Sequence, residues 1–192
     1  MTTRALTRMS TGIEVFAERP VVPAVIIRES YTSGCIGRIV DLHARYYSQA
    51  SGFGLTFEAK VARELAQFCE RLQRGRDGIW LLECDGQVQG SVCIDAGGPP
   101  EQEGAHLRWF IVADALRGQG WGRELLARAM AWVDACGYAR TYLWTFKGLD
   151  AARHLYASQG FVLVHEQLGQ QWGVSVKEQR FERMGRPAAA AL

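Results

Sequence analysis

Val112-Ala113-Asp114-Ala115-Leu116-Arg117-Gly118-Gln119-Gly120-Trp121-Gly122-Arg123 is the stretch that decides the fold. An apolar run from Ala105 ends at Val112, and an amphipathic pattern begins where the glycines stop. Between them stand an arginine and three glycines at alternate positions. Glycine at such a strand-to-helix turn removes the Cβ that would hold a ligand off the main chain. A helix start leaves amides unpaired and carries partial positive charge, so the turn suits an anion. The spacing G-x-G-x-G is not the dinucleotide fingerprint G-x-G-x-x-G, because residue 123 is Arg. No Gly-Lys-Ser/Thr follows, which excludes a Walker-type phosphate loop. One glycine would suffice for a turn that only packs a strand on a helix.

Reading outward, Leu126, Ala129, Met130 and Val133 mark one face of a helix from Gly120 to about Cys136, ended by Gly137. Arg140 to Phe146 reads as a strand and Asp150 to Ser158 as a helix stopped by Gly160. Phe161 to His165 and Ser175 to Arg183 read as two final strands. Upstream, Ile79 to Cys84 and Gln87 to Ile94 flank Asp85-Gly86, a hairpin signal, and Gly97-Gly98-Pro99-Pro100 reads as a loop. Thr56 is expected to N-cap a helix with the stripe Phe57, Val61, Leu65, Phe68 and Leu72. Ser33 or Gly34 starts another, with Ile36, Ile39, Val40 and His43 at helical spacing. Ala24 to Arg28 is a β-branched first strand. Residues 1–22 are expected to form a loose arm, 23–184 one domain and 185–192 an unstructured tail. The order β-α-α-β-β-β-α-β-α-β-β demands mixed strand pairing.

Composition narrows the function classes. The chain has 192 residues, 48% hydrophobic and 22% charged, with a net charge of +2. That fits one soluble domain with a real core. Lys and Arg are scattered among Asp and Glu, which argues against a nucleic-acid face. No apolar run is long enough to cross a membrane. Residues 1–19 hold no hydrophobic block, so they do not read as a secretory signal. Cys35, Cys69, Cys84, Cys93 and Cys136 are odd in number and lack C-x-x-C spacing. They read as buried thiols in a reducing compartment, neither disulfide framework nor zinc site, and the cytoplasm is the expected location.

Arg117, Gly120 and Gly122 satisfy R/Q-x-x-G-x-G/A, and the chain thereby resembles the GCN5-related N-acetyltransferases (GNAT), whose coenzyme A pyrophosphate motif this is. A second segment, Ala152-x-x-Leu155-Tyr156-x-x-x-Gly160-Phe161, is similar to one that follows the fifth strand in that family. The resemblance covers about residues 24 to 184. It implies an α+β fold, a mixed sheet of about seven strands flanked by four helices. It implies acetyl-CoA as co-substrate, no metal, and a small-molecule or peptide amine as acceptor, with a homodimer as one possible assembly. It places Arg117, Gly118, Gln119, Gly120, Trp121, Gly122 and Arg123 around the cofactor, with Phe110, Ile111 and Val112 along its pantetheine arm. Trp121 also reads as a packing residue.

The same resemblance puts Tyr156 beside the sulfur, where a phenol can donate to a developing thiolate. A core tyrosine bonded to a carbonyl is the plain alternative. Leu149 departs from the pattern, since many relatives carry Asn there. Some relatives place a carboxylate near the start of the strand that ends at Val112. Here that position falls near His106, which titrates in a suitable range, though a one-residue slip would turn it to the other face. A surface histidine or a water relay would serve as well. Arg108 could meet an acidic substrate or form a salt bridge. His43, Tyr46 and Tyr47 would wall the acceptor pocket or simply pack, and His154 and His165 are expected on the surface. The late Gln171-Trp172-Gly173 segment is similar to acetyltransferase domains fused to MarR-type regulators. No cysteine or serine sits in a nucleophile context, so direct attack by the amine is expected. A non-catalytic acyl-CoA-binding module and a different nucleotide fold are the competing readings.

Overall fold

The computed structural model describes residues 24–97 and 104–185. The expected arm (1–22), most of the Gly97–Pro100 loop and the tail beyond Gly185 lie outside them. The elements run β1 (Val25–Arg28), α1 (Cys35–Ser51), α2 (Leu55–Glu70), β2 (Gly78–Cys84), β3 (Gln87–Asp95), β4 (Ala105–Val112), α3 (Trp121–Ala135), β5 (Arg140–Phe146), α4 (Asp150–Ser158), β6 (Val162–Gly169) and β7 (Val176–Met184). A single 3-10 turn, Asp114–Leu116, joins β4 to the glycines.

The seven strands form one sheet in the order β1-β2-β3-β4-β5-β7-β6. All neighbours are antiparallel except β4 and β5, which run parallel. That is the mixed α+β architecture expected from the resemblance. Helices cover both faces. Leu125, Leu126, Ala129, Met130 and Val133 of α3 pack with Tyr156 of α4 on Val92, Ile94, Leu143 and Phe181. Ile39 of α1 and Phe57, Val61, Leu65 and Phe68 of α2 pack on Leu81, Cys93 and Trp109 across the sheet. Burying each such large apolar side chain contributes about 1.5–3 kcal/mol, before the entropy of ordering the chain is set against it.

The ends of α3 show how local chemistry fixes its limits. Beyond Ala135 the amide of Gly137 donates to Asp134 O and that of Tyr138 to Val133 O, at 3.1 and 3.4 Å. This paired closure is the Schellman pattern that the glycine at 137 predicts.

Three expectations need correction. Thr56 is not the N-cap of α2: the helix starts at Leu55, and the Gly54 carbonyl accepts from the amides of Phe57 and Glu58. β6 runs on to Gly169, because main-chain pairing with β7 holds it where no apolar pattern does. The cysteines are all free thiols, yet Cys136 is exposed and Cys69 and Cys84 are half-buried, so only Cys35 and Cys93 fit the buried reading.

Candidate functional site

The site begins where β4 leaves β5. Only Ala105 and His106 of β4 pair with β5, opposite Thr141 and Tyr142. On its other side β4 pairs with β3, but the register slips: Ser91 and Cys93 face Ile111 and Arg108, so β4 holds an extra residue. The slip centres on Trp109, at φ 47°, a conformation that costs a non-glycine residue of order 1–3 kcal/mol. Ser91 Oγ donates to the Trp109 carbonyl at 2.6 Å and stabilises the bulge. A bulge bends its strand and re-aims the side chains that follow. The result is a notch between β4 and β5, with the β5-side edge of Phe110 to Val112 unpaired among the described residues.

A groove of about 730 Å³ opens from that notch toward α3. Phe110, Ile111 and Val112 form one wall, the glycine turn with Arg117 and Arg123 another, and Gly148 to Ala152 with Leu155 a third. Gly120 is the N-cap of α3 at φ 89°, in the left-handed region that glycine tolerates. Gly122 matters for closeness. A Cβ there would lie 3.3 Å from Leu155 Cδ1 and 3.6 Å from Phe110 Cζ, so a side chain would raise the groove floor. Arg123 lies in the first turn of α3, where a cation opposes the helix dipole unless an anion is bound there. Groove, bare turn and helix start therefore fit a long ligand with an anionic centre.

The cofactor-motif residues do not all face this groove. Gln119 bonds Ala115 O through its amide nitrogen at 2.8 Å. Gln119 and Trp121 line a shallow depression against Val25 to Ile27 of β1 instead. Arg117 is at the groove but pinned: Nε donates to Val112 O at 2.8 Å, Nη1 pairs with Asp114 at 2.7 Å, and the guanidinium lies 3.9 Å over the Tyr46 ring. It acts as a wall more than as a mobile arm. The Val112 carbonyl is thereby occupied, which leaves Phe110 and Ile111 as the better edge for an extended ligand.

A second cavity, about 660 Å³, lies on the α1/α2 side. Tyr47 and Phe110 line both. Tyr156 sits at this meeting point, nine-tenths buried, with ring centroids of Phe110, Phe161 and Phe181 about 6 Å away. Burial pushes its phenol well above the usual range, and neighbouring Tyr47 adds to this. Tyr47 is raised likewise by burial. Both are donors at neutral pH, and among the described residues nothing accepts from the Tyr156 hydroxyl.

His43, at the cavity wall, is buried, with Nδ1 2.8 Å from the Ile39 carbonyl, which must accept. Desolvation pulls its pKa down to about 4, so Nε2 keeps its lone pair at neutral pH. His106 also faces the cavity, stacked on Tyr142 at 4.4 Å between ring centroids. Desolvation, and then like charge from Arg108, holds it well below the usual histidine range. Arg108 proves to be a salt-bridge residue: it pairs with Glu64 and with Asp95 at 3.2 Å, over the Trp109 ring. His154 and His165 are exposed, as expected.

Sequence reasoning missed several cavity residues. Lys60, Glu64 and Gln67 line it from α2, and Arg71 from the position just past its end. Their 4-3-4 spacing marks one helix face and was the available signal. Trp172 lines it too, stacked near Phe53 with centroids 6.2 Å apart. This gives the Gln171-Trp172-Gly173 segment a local packing role. Tyr46 belongs to the cofactor-side groove, His43 to the acceptor-side cavity, and Tyr47 to both. Among the described residues no group of three or more His, Cys, Asp or Glu could hold a metal, and no helix is long and apolar enough to cross a membrane.

The profile of the Acetyltransferase (GNAT) family matches residues 38–161, which includes the bulge, the glycine turn and Tyr156. The chain belongs to the acetyltransferase (GNAT) family. Among curated relatives, this GNAT protein is 28% identical over 134 residues to the uncharacterized N-acetyltransferase YjgM of Escherichia coli (strain K12), covering 70% of this chain and 78% of that one. Its fold is similar to that of yncA from Salmonella typhimurium with its cofactor acetyl-CoA (TM-score 0.69, 19% identity, 87% of this chain and 97% of that one). It also resembles a ribosomal-protein-alanine N-acetyltransferase from Brucella melitensis (0.66, 21%, 83% and 99%). A third likeness is to spermidine N-acetyltransferase from Vibrio cholerae in complex with CoA and spermine (0.62, 18%, 83% and 95%).

Proposed function

We propose that the protein transfers an acetyl group from acetyl-CoA to a primary amine by direct attack in a ternary complex. The observation that carries this is the meeting of two cavities at Tyr47 and Phe110, beside the buried Tyr156. Acetyl-CoA, when bound, supplies the activated thioester.

The amides of Gly118 to Gly122 and the Arg123 guanidinium suit the pyrophosphate at the start of α3. The open edge at Phe110 and Ile111 suits an extended arm that pairs as an added strand would. A main-chain amide near Val112 supports negative charge at the thioester oxygen, and Tyr156 donates a hydrogen bond or proton to the departing sulfur. The acceptor nitrogen must be neutral when it attacks. The aromatic chamber of Tyr47, Phe57, Phe146 and Trp172 disfavours an ammonium, which shifts the amine toward that form. His106, held neutral in the same cavity, takes the proton directly or through water, and His43 is its rival.

Thiol release from acetyl-CoA across a broad amine library tests the reading. Release that depends on an amine is expected. Tight acetyl-CoA binding with no release for any amine would instead make the protein an acyl-CoA-binding module.

A further inference from the structure

The far end of the acceptor cavity is ionic, and its charges are not balanced. Lys60, Arg71 and Arg108 face Glu64 and Asp95, three cations against two carboxylates among the described lining residues. His43 and His106 are held neutral and add nothing to the sum. All four carboxylate oxygens already have donors. Glu64 accepts from Lys60 at one oxygen and Arg108 at the other. Asp95 Oδ2 accepts from Arg71 and Arg108 at 2.7 and 3.2 Å, and Oδ1 from the Gly97 amide at 3.0 Å. Burial opposes ionisation of both acids, but these cations outweigh it and keep both carboxyls below the usual range.

The cations, in contrast, keep capacity. Lys60 has three ammonium protons and one acceptor, Glu64, among the described residues. Arg71 uses Nη2 on Asp95, and among the described residues nothing accepts from its Nε or Nη1. A second ammonium would add to that positive excess beside carboxylates already flanked by cations. An anionic group would find donors waiting. Distance is compatible for Lys60: it lies one helical turn from Phe57, about 5 Å along α2, with Glu64 and its Arg108 partner at about 10 Å and Arg71, just past the helix end, at about 20 Å.

Resting on the acetyl-transfer reading above, we propose that the acceptor is an amine that also carries a carboxylate, namely an amino acid or close analogue with an apolar or aromatic body, and not a polyamine. The aromatic chamber receives the body and the neutral amine. Lys60 receives the carboxylate, and Arg71, beyond Arg108 and its two acidic partners, adds positive field from the far end. The aromatic walls could also cage a cation. The amine that reacts is uncharged, however, so that contact does not select it.

Steady-state acetylation of matched pairs tests this: phenylalanine against phenethylamine, tryptophan against tryptamine, 6-aminohexanoate against hexylamine, with spermidine as the dicationic arm. At least one carboxylate-bearing member is expected to exceed both its decarboxylated partner and spermidine in kcat/KM by about tenfold or more, the scale of one or two charge-assisted hydrogen bonds. Lys60→Met should raise KM for that acceptor about tenfold and Arg71→Met by less, and both should keep acetyl-CoA affinity, which shows that the variants are folded. Faster turnover of spermidine or of the carboxylate-free amines would overturn the proposal and leave acetyl transfer standing. Carboxylate preference that survives both substitutions would overturn it too. Acetyl-CoA binding without thiol release for any amine would remove the transfer reading, and this proposal with it.

Discussion

Tyr156 carries the chemical proposal at the scale of one residue. Its surroundings are apolar, its hydroxyl has no protein acceptor among the described residues, and burial keeps it protonated. Tyr156→Phe removes the donor and keeps the ring against Phe110, Phe161 and Phe181. The expected result is a kcat lower by on the order of 10- to 100-fold, with acetyl-CoA affinity by calorimetry unchanged. An unchanged kcat would take the phenol out of the mechanism. His43 makes a different prediction, for stability. The ring is neutral in the fold down to about pH 4, while an unfolded histidine takes its proton near 6.5. Above pH 6.5 neither state is protonated and nothing is lost. Below it the unfolded state gains the proton alone, so stability falls as pH drops toward 4 and then levels. The loss approaches about 3 kcal/mol, and His106 acts in the same direction. His43→Leu should flatten that acid limb in urea midpoints measured between pH 7 and pH 4. An identical acid dependence in the variant would contradict the assignment.

The strand–turn–helix unit from β4 to α3 is where element-scale reasoning was strongest. Gly120 stands at φ 89°, and nothing lies within 4 Å of a Cβ built there. Gly120→Ala therefore costs about 1–2 kcal/mol through the backbone, not through a clash. A lower denaturation midpoint and weaker acetyl-CoA binding are expected together. Gly120→Asn should lose less of both, since Asn tolerates the left-handed region; equal losses would point to a steric cause instead. This unit was legible because glycine, apolar period and cap residues agree along one short stretch. The start of α2 was not, because Leu55, its first residue, is 80% exposed and the inward pattern begins only at Phe57. Thr56 has the right chemistry for a cap but lies one step inside. The far half of β6 was missed for a similar reason. It is an edge strand, exposed along Val162 to Leu168, held by pairing to β7 and not by a buried face. Motif position also failed to say which way Gln119 and Trp121 point. Alternate residues of a tight turn diverge, and these two turn toward β1.

At the scale of the whole molecule, the sheet separates two apolar layers and splits between β4 and β5 to join two cavities. The element order, the seven strands and the need for mixed pairing could be read from alternation and turn residues, while the single parallel pair, β4 with β5, is a finding of the structure. The split itself rests on the bulge at Trp109, a non-glycine residue at positive φ that no local signal announces. The ionic stripe of α2 carries no motif, and Trp144 and Trp172, which line the same cavity, come from distant parts of the chain. The central claim is that this split presents the thioester of a coenzyme A held at the glycine turn to the acceptor cavity. A crystal structure with acetyl-CoA tests it most directly. The account predicts the pyrophosphate against the amides of Gly118 to Gly122, the arm along Phe110 and Ile111, and the thioester sulfur within hydrogen-bonding reach of Tyr156. A cofactor lodged elsewhere, with that turn closed and the notch between β4 and β5 filled by protein, would contradict it.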